Sequence, residues 1–317
     1  MNLYFRRINK MKRAVAIDSG KFATKAITKD SAGNIVQLYF RTKMDDTNEK
    51  LTTSKESYVV EFQGKRVLIG KQAEAIDYDK DKTKILHKIA IFTAISQLVD
   101  DGDTVKIAVG CPMDLFNNFD ERQSFSNFLT EDKKVNLIVN NKPFSFTLEE
   151  AKIFPESSGI ILRKFDYYKD RLIGVVDIGG LNVNACVYDR GDILKNTCFT
   201  LNRGGNVLLN DLRLHLNQEF KSNLQEWQME TVIKDGFIRK NPEESKKVIS
   251  KFLQDYVDEI MKEAKKRNWD IDNMDFIFIG GSSLLLNEEI KIAVPHAEIS
   301  KNAIWDNVEG FGFVVGL

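Results

Sequence analysis

The sequence predicts an α/β protein made of two lobes of similar plan. Three observations carry that expectation. The chain has 317 residues, beyond the roughly 250–300 at which a single hydrophobic core stops growing. One pattern of strands and turns occurs twice, about half a chain apart. A further buried strand, ending in the glycine pair Gly280-Gly281, follows the second copy.

The first copy begins at Lys12 (KRAVAIDSGKFATKAIT) and the second at Arg171 (RLIGVVDIGGLNVNACVY). Each has a short apolar run, an aspartate (Asp18 or Asp177), a glycine-bearing turn and a second alternating strand. Each continues through another turn, Asp30–Gly33 or Asp189–Asp192, into a third strand, Asn34–Arg41 or Ile193–Leu201. Glycine turns between alternating runs are hairpin signals.

Other elements follow in order. Tyr58–Phe62 and Lys65–Ile69 alternate around Gly64 as a hairpin. Residues 82–99 have helical periodicity, with Ile85, Ile89, Phe92, Ile95 and Leu98 on one side. Thr104–Val109 reads as a buried strand running into Gly110-Cys111-Pro112, and Val135–Val139 with Phe144–Leu148 as a hairpin around Asn140–Pro143. Ser157–Phe165 reads as a helix. The clearest helix runs from Pro242 to about Trp269, with Asn241 as N-cap, Pro242 at N1 and Glu244 completing a capping box. Its stripe of Val248, Phe252, Leu253, Tyr256, Ile260 and Met261 is expected in the core.

Composition narrows the function. Lys and Arg total 46 and Asp and Glu total 46, so the formal net charge is zero. This argues against direct nucleic-acid binding, which calls for a basic surplus or face. It leaves self-association open, because no net charge holds copies apart. Cys111, Cys186 and Cys198 are odd in number and form no C-x-x-C pair. No disulfide framework or zinc site is expected, each cysteine is read as a small buried hydrophobe, and a reducing cytoplasm fits. His87, His215 and His296 are scattered and suggest no metal site. No run of 18 apolar residues occurs, so no membrane association is expected. Residues 1–11 read as a leader, with an amphipathic anchor as the alternative.

The two aspartate loops offer what a nucleoside triphosphate needs. Successive backbone N–H groups in a tight turn form a concave anion site. Gly20, Gly179 and Gly180 let the backbone approach phosphate oxygens closely. Lys25 supplies a point charge, and Asp18 and Asp177 suit a hydrated Mg²⁺ that keeps most of its waters. No Walker P-loop and no G-x-G-x-x-G is present.

At these residues the chain resembles the actin/DnaK/sugar-kinase superfamily, whose fold is a duplicated, ribonuclease H-like α/β pair of lobes with a nucleotide cleft between them. The Asp18 loop, with Ser19, Gly20, Lys21 and Lys25, is similar to the first phosphate motif. The Asp177 loop, with Gly179, Gly180, Leu181 and Asn182, is similar to the second, although many relatives carry hydroxyl residues where Leu181 and Asn182 stand. Glu156 falls at the first connecting helix, where the resemblance implies a residue that positions the attacking water. Gly280, Gly281 and Ser282 look like the adenosine motif, to which the resemblance adds Gly204 and Gly205. Trp305–Gly316 looks like the second connecting helix.

Val105–Phe116, with its Gly110-Cys111-Pro112 step, resembles the plasmid-segregation actins of the ParM and Alp type, as do Pro155-Glu156 and Val308–Gly310. That implies hydrolysis of ATP or GTP with Mg²⁺, assembly into filaments of the chain itself, and a ParR-type adaptor bound to plasmid DNA. The implied division is a first lobe over 12–168 with 303–317 (smaller subdomain about 36–100) and a second over 169–302 (smaller subdomain about 206–245). A small-molecule kinase of the same superfold and a non-polymerising regulatory ATPase are the alternatives; a kinase would need a further carboxylate base in the cleft, and Asp114 and Asp120, which follow the Gly-Cys-Pro step, read more naturally as helix-start or surface residues.

Overall fold

A computed structural model describes residues 11–48, 51–75 and 82–317; apart from Met11, the expected leader lies outside them. The first copy folds into β1 (Lys12–Ser19), β2 (Ala23–Lys29) and β3 (Ile35–Arg41), an antiparallel meander. The chain continues through β4 (Met44–Asp46), β5 (Ser57–Phe62) and β6 (Lys65–Gly70) to α1 (Ile85–Leu98). β7 (Thr104–Cys111), α2 (Met113–Asn117), α3 (Phe119–Thr130), β8 (Lys134–Val139) and β9 (Lys142–Pro155) complete this half. β7 lies parallel to β1, and β9 parallel to β7. The nine strands make one sheet in the order β3-β2-β1-β7-β9-β8-β5-β6-β4.

After α4 (Gly159–Arg163) and α5 (Phe165–Tyr168), the second copy repeats the plan. It contains β10 (Leu172–Ile178), β11 (Val183–Asp189), β12 (Asp192–Ile193), β13 (Phe199–Leu201), α6 (Gly205–Phe220), α7 (Met229–Asp235) and α8 (Pro242–Lys266). It ends with β14 (Asp275–Ile279), α9 (Asn287–Ala293), β15 (Glu298–Ile299) and α10 (Asp306–Val314). The second sheet runs β12-β11-β10-β14-β15, with β13 also on β11. The five-strand plan β3-β2-β1-β7-β9 is thus matched strand for strand, parallel pairs included.

Several expectations need correction. The third strand read over Ile193–Leu201 is broken: β12 and β13 are separated by a 3₁₀ turn at Lys195–Thr197, whose Thr197 hydroxyl bonds the Leu194 carbonyl. β13 pairs with β11 so that Ala185 faces Phe199. That register sets Cys186 opposite Cys198, their Cα atoms 4.2 Å apart, and they form a disulfide that was not expected. Cys111 is buried and free, as anticipated. The single helix over Ser157–Phe165 is two short helices broken at Lys164. Helix α1 is buried continuously from His87 to Ile95 rather than along one stripe, as befits a helix enclosed on all sides. The Asn241 side chain makes no capping bond to the α8 backbone; its amide instead donates to Glu244 at 3.4 Å. The α8 stripe itself is core, with Leu253, Tyr256, Ile260 and Met261 buried and Val248 and Phe252 packed beside them.

The two connecting helices are exchanged between halves. α4 leaves the first sheet but buries Ile160 and Ile161 against Ile173, Val175 and Ile277 of the second. α10 leaves the second sheet but buries Val308 and Phe311 against Ala16, Ile27 and Ala108 of the first. The helices cross where Gly159 meets Gly310, so closely that a methyl on either glycine would overlap the other helix's backbone. Backbone cannot yield as a side-chain tip can. Gly310→Ala is therefore expected to destabilise the protein by about 3 kcal/mol, at the upper end of overpacking costs. Chemical denaturation checks this; a loss below about 1 kcal/mol would mean the crossing relaxes freely.

Candidate functional site

The carboxyl ends of β1 and β10 face one another across a cleft of about 460 Å³. Asp18, Lys25, Glu156 and Asp177 all line it, as do Gly20, Lys21, Gly179, Gly180, Leu181 and Asn182. Gly205, Gly280, Gly281 and Ser282 line it too, with Leu209, Leu284, Leu285 and Ile304 supplying apolar surface. Two expected residues stand back from the cleft. Ser19 is buried with its hydroxyl 3.5 Å from that of Thr24. Gly204 instead braces the second loop, donating its N–H to the Leu181 carbonyl at 2.6 Å.

The hairpin register explains the first charged pair. Asp18 on β1 lies directly opposite Lys25 on β2, and the Lys25 ammonium donates to Asp18 Oδ2 at 2.6 Å. Burial works to lower the Lys25 pKa, but Asp18, with Asp177 and Glu156 beyond it, outweighs this and holds it above the ordinary value. The second copy repeats the geometry with a different residue: Asp177 on β10 lies opposite Asn184 on β11. Asn184 turns its amide across to the first half and donates to Glu156 Oε2 at 2.8 Å. The Asn184 carbonyl oxygen accepts from the Thr200 hydroxyl at 2.9 Å, which fixes the amide's orientation.

Glu156 follows β9 directly and precedes Ser157, which takes the unusual φ of 81°. Its carboxylate does not cap a helix. It bonds Asn184 and lies 3.8 Å from the Lys82 ammonium. Burial and the nearby Asp18 push its pKa up, against the opposing pull of Lys82, Lys25 and Asn184.

Asp177 is 5% exposed and accepts from the Asn307 amide of α10 at 2.6 Å. The Asn307 carbonyl oxygen in turn accepts the Ser157 N–H at 3.2 Å. One side chain on the second connecting helix thus joins both halves of the site. Burial, then the charges of Glu156 and Asp18, push the Asp177 carboxyl up to about 7. Three acidic groups in a partly dry cleft are therefore short of positive charge, a setting suited to a cation.

The second loop is held from behind. Gly205 and Asn206, opening α6, donate their N–H groups to the carbonyls of Gly179 and Gly180, each at 2.8 Å. Gly280 has a φ of 83°, and a side chain there would overlap Asp177 and the Ile178 carbonyl. Gly180 abuts Phe22 of the first loop, whose ring carries the Arg41 guanidinium at 3.6 Å. The Asn182 side-chain oxygen is buried without a hydrogen-bond partner among the described residues.

Lys82, Asn184 and Asn307 were not singled out from the sequence. Only Asn184 had a signal there, since it occupies in the second copy the place of Lys25 in the first. Asp114 and Asp120, the bases a small-molecule kinase would need, are exposed in the first turns of α2 and α3 and do not line the cleft. Among the described residues, no group of three or more His, Cys, Asp or Glu side chains forms a direct metal cage, and no helix is long and apolar enough to cross a membrane.

Residues 16–159 match the family model "Actin like proteins N terminal domain". No curated protein matches the chain. Among solved structures, an Alp12 filament structure is 25% identical, covers 96% of this chain and 98% of its own, and superposes with a TM-score of 0.70. Ta0583, an archaeal actin homolog in complex with ADP, is 16% identical over 96% of this chain and 99% of its own, with a TM-score of 0.74. AlfA from B. subtilis plasmid pLS32, a filament structure, is 15% identical over 96% and 99%, with a TM-score of 0.67.

Proposed function

With the chain an actin-like protein of the ParM/Alp type, we propose that it binds ATP or GTP with Mg²⁺ between its lobes, hydrolyses it, and polymerises in the cytoplasm into filaments that segregate plasmid DNA. A ParR-type adaptor, rather than the chain itself, would hold the DNA. The observation that carries this reading is the meeting of Asp18, Asp177 and Glu156 from three separate elements around one glycine-lined cleft. The match to a filament-forming Alp12 over nearly the whole chain supports assembly. The ADP complex of a protein with this fold supports a nucleotide in the cleft.

The residues fit the ligand. Asp18 and Asp177 would hold Mg²⁺ through its waters, which suits a metal that dehydrates reluctantly; the bound metal would draw charge off the phosphates. Backbone N–H groups of both loops, with Lys25, would bind the phosphates, and the unpartnered Asn182 amide is available to turn its donor toward them. The glycines and Ser282 at the α6 and β14 ends, with Leu209 and Ile304, would bound the nucleoside. Glu156 would accept a hydrogen bond from a water and aim it at the γ-phosphorus. As the water's oxygen bonded phosphorus, the bond to the bridging oxygen would break, the diphosphate would leave with that electron pair, and the water's proton would pass to Glu156 or to the released phosphate. Positioning of this sort carries much of phosphoryl-transfer catalysis.

The kinase reading loses support because neither Asp114 nor Asp120 reaches the cleft. Sedimentation of the purified chain, with phosphate release followed in the same samples, tests the proposal. The chain should pellet with Mg²⁺ and ATP or GTP and release phosphate without any added acceptor. A protein that stays in the supernatant and releases no phosphate at any concentration would overturn it.

A further inference from the structure

We propose that Lys82 is a positioning residue for the hydrolytic step, its buried ammonium tying Glu156 to the loop that follows Asp18. The inference rests on reading the cleft as a triphosphate hydrolysis site. Lys82 precedes α1 and is 4% exposed, yet it lines the cleft. Its Nζ donates to the Ser19 carbonyl at 3.0 Å and lies 3.8 Å from Glu156 Oε1. A lysine is rarely sequestered from water unless its charge is used, because an unpaired buried ammonium is costly.

The pairing pattern argues for a task beyond neutralising charge. Lys25 already sits 2.6 Å from Asp18. Lys82 is a second cation among three carboxylates, and it addresses Glu156 rather than the Asp18 that Lys25 already holds. Glu156 thereby meets a partner at each oxygen: Oε2 accepts a hydrogen bond from Asn184 of the second half, and Oε1 faces the Lys82 charge of the first at 3.8 Å. A carboxylate held at one oxygen still turns about its terminal torsion, which is broad and soft. Held at two, it presents a fixed direction to a water. The Ser19 carbonyl contact makes the same ammonium a spacer between Glu156 and the first phosphate loop, so water and phosphate are set relative to one another. Small errors in that distance are expensive in rate.

Removing Lys82 should therefore slow the chemistry far more than it weakens binding. The test compares wild type, Lys82→Met, Glu156→Ala and the double variant in Mg²⁺ with ATP or GTP. Single-turnover phosphate release, nucleotide Kd and thermal melting are read for each. Lys82→Met is expected to release phosphate about 30- to 100-fold more slowly than wild type, with Kd moved less than about threefold. In the double variant the lysine change should cost less than about a further threefold, because its effect passes through Glu156. A wild-type rate in Lys82→Met overturns the proposal. So does a Kd that weakens as much as the rate, loss of the cooperative melting transition, or a full additional loss in the Glu156→Ala background. A wild-type protein that binds no nucleotide instead fails the reading of the cleft itself.

Discussion

Asp177→Asn is expected to weaken Mg²⁺-nucleotide binding sharply while making the nucleotide-free protein harder to melt above pH 7. The first effect follows from removing one of the two carboxylates proposed to hold the metal through its waters. Affinity should fall by about 30-fold or more, and turnover with it, since the metal and its charge are central to phosphoryl transfer. Asp18→Ala should do the same and also leave Lys25 without its partner at 2.6 Å. The second effect follows from the cost of the charge. Burial and two neighbouring carboxylates raise the Asp177 carboxyl to about 7, from an ordinary aspartate value of 3.8. Between those values the folded protein keeps a proton that the unfolded chain has lost. Its stability therefore falls as pH rises through this window and is flat above it. Asparagine carries no such penalty and still offers Asn307 an acceptor. The melting difference between variant and wild type should be near zero at pH 4 and grow to on the order of 3 kcal/mol by pH 7 to 8. Melting curves across pH and calorimetric titration of nucleotide check both halves. A variant that binds nucleotide normally, or melts below wild type at pH 8, contradicts this account of Asp177.

Glu156→Ala is expected to leave binding and assembly in place and to slow phosphate release by about 100-fold. The carboxylate bonds neither loop; it faces the cleft between Asn184 and Lys82. The loss should thus appear in turnover and not in Kd, with filaments persisting longer after assembly. A helix-capping role would cost stability instead, but α4 begins at Gly159 with no side-chain capping bond at its N-terminus. Parallel loss of folding and binding, with normal turnover per bound nucleotide, would overturn the assignment.

The duplication was legible because it is local. Alternation, a strand-end aspartate and a glycine turn fit within about 17 residues, and hairpin register follows from them. Asp18 and Asp177 could be singled out for the same reason, whereas Glu156 was singled out only through the resemblance of its Pro155-Glu156 step to the first connecting helix of the superfamily. The residues that orient them could not. Lys82 reads as a helix-flanking lysine, and its partners lie at Ser19 and Glu156. Asn307 reaches Asp177 and Ser157 across 130 and 150 residues of chain. Such contacts leave no periodic trace. The Cys186–Cys198 pair escaped notice because it depends on β13 joining β11 in one register, after a break that the apolar run from Ile193 to Leu201 conceals. The crossing of Gly159 and Gly310 was equally silent, since either glycine alone reads as a helix-end or loop residue.

On the proposed function, a triphosphate held between the two aspartate loops is expected to set the lobes in the form that assembles. A ligand shifts such an equilibrium only by its differential affinity for the two states. About 3 kcal/mol of difference from γ-phosphate contacts would change the closed population roughly a hundredfold. Head-to-tail contacts between copies would then give an open polymer. The most direct measurement is light scattering with electron microscopy on the same protein, comparing ATP and GTP, their slowly hydrolysed analogues, and the diphosphates. Filaments should form with a triphosphate, persist with the analogue and lose stability with the diphosphate. Assembly equally strong with diphosphate, or none with any nucleotide at any concentration, would contradict the account.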